Sequence, residues 1–177
     1  MGTVAAIVLA AGEATRFGSP KQRLLLPRVL ERLTATPIDE IVIVAGAYEL
    51  EAPSSSLLRG IPARVVPCAQ WELGTGASLR CGLAALDPNV EAAVVVLADG
   101  PLLASAAIER ALEIWREAGG IVAASYGGAR GHPLVLGRPD WQDIPDEGLR
   151  DRAVRLVPCD DLGAPGDVDT PEDLAQL

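Results

Sequence analysis

The 177 residues carry a net charge of −9 and a pI near 4.6, with 49% hydrophobic residues and a positive mean hydropathy. Such a chain is too apolar to be disordered and long enough for one sizeable core. Its acidity excludes general binding to nucleic acid or to anionic membranes, which require a basic surface, so an anionic ligand would need a local positive charge.

The first element is VAAIVLA (4–10). TVAAIVLAA has no basic segment before it and a glycine turn after it, so it reads as a strand and not as a leader. Pro27 to Ala35 predicts a helix, with Leu30 and Leu33 at helical spacing and Pro27 in the first turn. IVIVA (41–45) predicts a second strand, and Pro53 a short helix through SSSLLR. ARVVP (63–67), AAVVVLA (92–98) and IVAAS (121–125) predict further strands, with helices over Thr75 to Leu86 and Ala104 to Ala118 between them. From about residue 127 the pattern loosens into GGARGHPLVLGRPDW, a short helical GLRDRAV, and VRLVP. That stretch reads as a substrate-side elaboration of one domain spanning 1–177. Unbroken apolar runs suit strands buried on both faces, and their alternation with helices implies a three-layer α/β sandwich around a mostly parallel central sheet.

No apolar run approaches the roughly 18 residues of a membrane span, so no membrane partner is expected. Cys68, Cys81 and Cys159 are odd in number, far apart and without zinc spacing. They are expected to be buried free thiols in a reducing cytoplasm.

Ligands of open α/β sheets gather beyond the carboxyl ends of the strands. After the first strand comes LAAGEATRFGSPK (Leu9 to Lys21), which holds the chain's only lysine among fifteen basic residues. Gly12 and Gly18 permit close backbone approach to a ligand. Arg16 offers a planar fork for phosphate oxygens and Lys21 a compact point charge. The spacing is neither GxxxxGK[ST] nor GxGxxG, so a plain turn with solvated cations competes with phosphate binding. Asp99 follows seven apolar residues, where a carboxylate is costly without a partner. An Asx turn before Pro101 competes with a role as an Mg²⁺ ligand. In DVDTPEDL, helix capping accounts for Thr170 to Asp173 but not for Asp167 and Asp169. Ser78 suits a helix N-cap, Trp71 and Trp141 suit packing or the faces of a flat ligand, and His132 is the only histidine.

Several of these motifs, in this order, resemble the nucleotidyltransferases related to molybdenum cofactor cytidylyltransferase and guanylyltransferase. LAAGEATRFGSPKQ is similar to their signature loop, GTGASLRCGLAAL to their nucleobase-side segment, LADGPLL to their strand-end Asp-x-Pro, GHPLVLGR to a Gly-x-Pro strand near the pterin, PDEGLR to a Gly-Asp-x-Gly-x-Arg turn, and DVDTPEDL to the C-terminal motif. The resemblance implies a Rossmann-like fold and transfer of a nucleoside monophosphate from an NTP to an acceptor phosphate. It implies that Arg16 and Lys21 hold the triphosphate and act in catalysis with Asp99. Leu9, Ala10, Ala11, Gly12, Gly76 and Ser78 would lie along the nucleotide, Asp99 and Asp169 would hold Mg²⁺, and His132 and Pro133 would meet the acceptor. Ala14, Phe17 and Gly100 depart from the usual Ser, Met, and Met or Gln. The Gln22–Asp39 segment is shorter than usual and lacks a glycine turn.

The leading expectation is CMP transfer from CTP to molybdopterin, with a transient molybdoenzyme or chaperone as possible partner. LAAG favours CTP, because guanylyltransferases tend toward LAGG. The alternatives are a guanylyltransferase acting on molybdopterin or a small phosphorylated acid, and a non-catalytic nucleotide-binding protein.

Overall fold

The structure is a computed structural model that describes residues 2–13 and 21–176. Arg16, Gly18, Ala14 and Phe17 therefore lie outside the described residues. Seven strands form one sheet: β1 (Thr3–Ala10), β2 (Glu40–Ala45), β3 (Ala63–Pro67), β4 (Val90–Leu97), β5 (Ile121–Tyr126), β6 (Ala129–Gly137) and β7 (Arg155–Pro158). Their spatial order is β3-β2-β1-β4-β6-β5-β7. β6 runs antiparallel to β4 and β5, while every other neighbouring pair is parallel.

The apolar runs became strands because both sheet faces are covered. Along β1, Ala6 and Val8 point into one core layer and Ala5 and Ile7 into the other. The first layer is closed by α1 (Lys21–Leu33), α2 (Ser55–Leu58) and α4 (Ser105–Ala118). The second is closed by α3 (Thr75–Ala84) and by Ile144 and Leu149 of the segment between β6 and β7. This is the three-layer, mostly parallel, Rossmann-like arrangement expected.

Four local readings are corrected. Helix α1 begins at Lys21, with Pro27 in its interior and not in its first turn. The proline removes one helical hydrogen bond, but burial of Leu25, Leu26, Val29, Leu30 and Leu33 holds the helix. GLRDRAV forms turns, not a helix. Its carbonyl at Leu149 accepts from the Arg152 N–H, a single turn bond, and from Arg130 Nη1. Ser78 lies inside α3, buried, and Gly74 occupies the N-cap position. Finally, Cys68 and Cys81 form a disulfide, their Cα atoms 5.8 Å apart, and only Cys159 is a free, buried thiol. The loop after β3 turns back so that α3 carries Cys81 under the strand end, a proximity that spacing along the chain could not show. Among the described residues no helix is long and apolar enough to cross a membrane.

The C-terminal helix α5 (Pro171–Ala175) starts as its sequence requires. The Thr170 side chain accepts from the Asp173 N–H, and the Asp173 carboxylate accepts from the Thr170 N–H. This capping box fixes where the preceding Asp167–Asp169 stretch ends.

Candidate active site

At the carboxyl ends of β1 and β4 lies a cleft of about 420 Å³. One wall is the backbone turn from Leu9 to Glu13, and Trp71, Glu72, Gly74, Thr75 and Ser78 form another. Asp99, just past β4, and Asp169 stand with Lys21 at its polar end. Two hydrogen bonds bring the C-terminal segment there: the Leu102 N–H donates to Pro165 O, and the Val168 N–H to Asp99 O.

Lys21 is the first residue of α1 and is buried. Its Nζ lies 2.9 Å from Asp169 Oδ1, 3.1 Å from Asp99 Oδ2 and 2.6 Å from Val168 O. Burial opposes the ammonium charge, but hydrogen bonds to Asp169 and then Asp99 outweigh it and hold the pKa above the ordinary lysine value. Asp99 thus has the cationic partner that its position demanded. One carboxylate oxygen from each of Asp99, Asp167 and Asp169 lies within 4.8 Å of the other two. Such a set of hard oxygen donors fits a hard divalent cation.

The neighbouring Gln22 donates from Nε2 to Gly12 O at 2.7 Å, pinning the β1 turn to α1. Its Oε1 is buried without a partner among the described residues, which leaves an acceptor open at the edge of the cleft.

The sequence-predicted residues divide as follows. Leu9, Ala10, Ala11, Gly12, Lys21, Ser78, Asp99 and Asp169 all line the one cleft. Gly76 does not line it; its N–H donates to Asp146 O, and a Cβ there would stand 1.7 Å from Pro145 O. It serves close packing of α3 on the 145–148 turn. His132 lines two adjoining cavities, one toward α4 and one toward α3, and is joined to Pro133 by a cis peptide. Burial, reinforced by Arg130, pushes its pKa down to about 4, so the imidazole is neutral at neutral pH. Trp141 packs, donating to Leu136 O with Arg138 stacked on its ring, whereas Trp71 faces the cleft.

The cleft residues that sequence reading did not single out are Glu13, Gln22, Glu72, Gly74, Thr75, Leu97 and Ala98. Gln22 had a signal only in its place beside the lone lysine.

Residues 6–158 match the family described as MobA-like NTP transferase domain. The chain belongs to that family. Most of its length is thus a MobA-like NTP transferase domain. This MobA-like chain is 30% identical over 171 residues to the bifunctional protein GlmU of Cutibacterium acnes, covering 86% of the chain and 40% of that relative. It thus spans about two fifths or less of the length of the curated relatives it matches. The crystal structure of Rv0371c from Mycobacterium tuberculosis H37Rv superposes with a TM-score of 0.76 at 26% identity, covering 99% of this chain and 97% of that one. A second structure of Rv0371c, in complex with manganese, superposes with a TM-score of 0.71, also at 26% identity and with the same coverage of both chains.

Proposed function

We propose that this MobA-like domain transfers CMP from CTP to the phosphate of molybdopterin, releasing pyrophosphate. The observation that carries the reading is the Lys21 ammonium held between Asp99 and Asp169 beside the turn of Leu9 to Gly12, which lines the same cleft. A single cleft there combines a phosphate-binding cation, hard oxygen donors and bare backbone. In this reading an oxygen of the acceptor phosphate attacks the α-phosphorus in line. A P–O bond forms to the acceptor, the bond to the β-phosphate breaks, and the pyrophosphate carries off the electron pair. The attacking phosphate is already ionised, so positioning and charge neutralisation suffice without a strong general base.

Asp99 and Asp169, with Asp167 beside them, would hold Mg²⁺; that the similar Rv0371c forms a complex with manganese supports the use of a divalent ion. When bound, the ion would neutralise phosphate charge and orient the reacting oxygens. Lys21, and Arg16 from outside the described residues, would hold the triphosphate. Ala11 is buried against the cleft wall, and its methyl crowds a purine more than a pyrimidine, which favours CTP over GTP. The reading places the protein in the cytoplasm, where NTPs are available.

The test is a thermal-shift panel of CTP, GTP, ATP and UTP with Mg²⁺, followed by pyrophosphate release with molybdopterin. A ligand at a hundredfold excess over its Kd stabilises by about 2.7 kcal/mol. A shift selective for CTP, with acceptor-dependent pyrophosphate, is expected. A GTP-selective shift would reject CTP, and binding without pyrophosphate release would leave a nucleotide-binding protein.

A further inference from the structure

The disulfide, formed where free thiols were expected, falls on the wall of the cleft. Cys68 directly follows β3 and Cys81 lies on α3, and their bond closes a loop with a sequence separation of 13. Trp71, Glu72, Gly74, Thr75 and Ser78 all stand inside that loop, and together they form one whole wall of the cleft. In a reducing cytoplasm, where the proposed function places the chain, thiols are kept reduced. Disulfides that do form there are mostly transient, and serve catalysis or redox sensing.

Backbone hydrogen bonds tie the loop to its surroundings at two points. The Cys68 N–H donates to Ala45 O and the Gly76 N–H to Asp146 O, both at 2.8 Å. Between those points the bonds are local: the Trp71, Leu73 and Gly74 N–H groups donate to the carbonyls of Cys68, Gln70 and Trp71. Trp71 packs over Gly46, but Glu72 and Thr75 are exposed and Leu73 is 55% exposed. A segment with local bonds and little buried surface opens at low free energy. A cross-link across its ends restricts the conformations it can reach. The two sulfurs differ in access: Cys68 is buried, whereas Cys81 is partly exposed. Cys68 Sγ also lies 3.7 Å from Ala77 O, so a freed Cys68 thiol has an acceptor at hand.

We propose that Cys68 and Cys81 form a redox switch on nucleotide binding: the disulfide holds the Trp71–Ser78 wall in place, and its reduction loosens that wall and weakens the nucleotide. This rests on the reading of the cleft as a nucleotide site in a cytoplasmic protein, and adds its regulation. The reductant is a dithiol. One of its thiolates attacks the accessible Cys81 sulfur, the Cys68–Cys81 bond breaks, and Cys68 leaves with the electron pair and takes a proton. The second thiolate of the reductant then attacks the first, its own sulfur now bonded to Cys81. Cys81 leaves as a thiolate and is protonated, and the dithiol ends as a disulfide. Two electrons pass to the protein, and a disulfide oxidant reverses the exchange.

The experiment compares the full chain equilibrated with oxidised glutathione and with dithiothreitol. Thiol titration after denaturation should find Cys159 alone in the first form and all three cysteines in the second. Far-ultraviolet circular dichroism should show both forms folded. Affinity for CTP with Mg²⁺ should fall at least about fivefold on reduction, because the loop must then be ordered on binding. Hydrogen exchange of the Trp71, Leu73 and Gly74 amides should quicken at least about tenfold, with the amides of α4 unchanged. Cys81→Ser should match the reduced parent and ignore the reductant. Cys159→Ala should keep the whole response.

Equal CTP affinity in the two forms of the parent overturns the proposal, and that comparison needs no variant to fold. Three free thiols after oxidation overturn it as well, and so does a reduced protein that is wholly unfolded, since the bond would then be a structural staple. A response lost in Cys159→Ala would assign it to the wrong cysteine. If the parent binds CTP in neither form, the nucleotide reading fails. The exchange rates then decide the remainder: amides of the wall that ignore reduction overturn the switch, and faster exchange keeps it for whatever ligand the cleft takes.

Discussion

Lys21 neutralises two carboxylates that the proposed metal would also claim. Its ammonium stands 2.9 and 3.1 Å from Asp169 and Asp99, so it is their internal counter-ion until a nucleotide supplies phosphates for it. Lys21→Met should therefore have effects of opposite sign on the two ligands. NTP binding should weaken by about 1.5–3 kcal/mol, the range for a charge-assisted hydrogen bond. Mn²⁺ alone should bind more tightly, because the carboxylates lose a competing cation. Titration of free Mn²⁺ by electron paramagnetic resonance reads the second effect without any turnover, and weaker Mn²⁺ binding in the variant would refute the competition.

His132 gives a second residue-scale outcome. Its folded pKa of about 4 lies below the usual histidine value. The unfolded chain therefore binds more protons between about pH 6.5 and pH 4, and stability must fall as pH drops through that window. The slope from this group is at most about 1.4 kcal/mol per pH unit. Urea titrations of parent and His132→Asn across pH 4–7 should show a shallower slope in the variant. Lys21 and Asp99 were legible in the sequence because each breaks a local pattern: one is the lone lysine, the other a charge ending an apolar run. Gln22 breaks none, and its unpartnered buried acceptor exists only in three dimensions.

At the scale of elements, two glycines that look equivalent in sequence carry different constraints. Among the described residues a Cβ on Gly12 would meet nothing within 4 Å, whereas one on Gly76 would run into Pro145 O and Gly148 N of the facing turn. Gly76→Ala should lower stability by about 1–3 kcal/mol, as for overpacking against backbone, and displace the 145–148 turn that Arg80 also holds through Ile144 O and Asp146. Gly12→Ala should melt like the parent and lose nucleotide affinity, since the added methyl points into space that is open among the described residues and that the proposed nucleotide would fill. Differential scanning calorimetry with and without CTP separates the two. If Gly12→Ala binds CTP normally, the turn from Leu9 to Gly12 is not a close backbone contact for the nucleotide. The apolar runs fixed where strands lie because a strand buried on both faces has no polar alternative. β6 was harder to see: RGH fills its first half and hides the apolar pattern, and only the resemblance of GHPLVLGR to a Gly-x-Pro strand pointed to it. The disulfide was invisible for a related reason, because Cys68 and Cys81 meet through the packing of α3 on the end of β3.

For the whole molecule, the sheet separates what holds the fold from what forms the cleft. The cleft residues sit on strand ends, on α1 and α3, and on the return segment before α5, while the largest buried side chains lie in the two layers between sheet and helices. The architecture was legible because strand–helix alternation constrains it strongly. The meeting of Asp99 with Asp169 was expected through the family resemblance alone, and the place of Asp167 beside them needed the folded return of the C-terminal segment. This separation implies that stability and ligand binding vary independently until the chain unfolds. Ile7 is fully buried in the middle of β1, between β2 and β4, and faces α3, where its methyls approach Gly82. Leu156, on edge strand β7, is 43% exposed. Ile7→Ala should cost about 2–5 kcal/mol, the range for truncating a large core aliphatic, and Leu156→Ala a small fraction of that. Urea unfolding gives the two stabilities, and CTP titration at 20 °C, well below the transition, gives the affinities. Both variants should bind CTP with Mg²⁺ within about twofold of the parent. A tenfold loss in Ile7→Ala while the protein is still folded would mean that the β1 core position sets the geometry of the Leu9–Gly12 turn, and that the layers and the cleft are one mechanical unit.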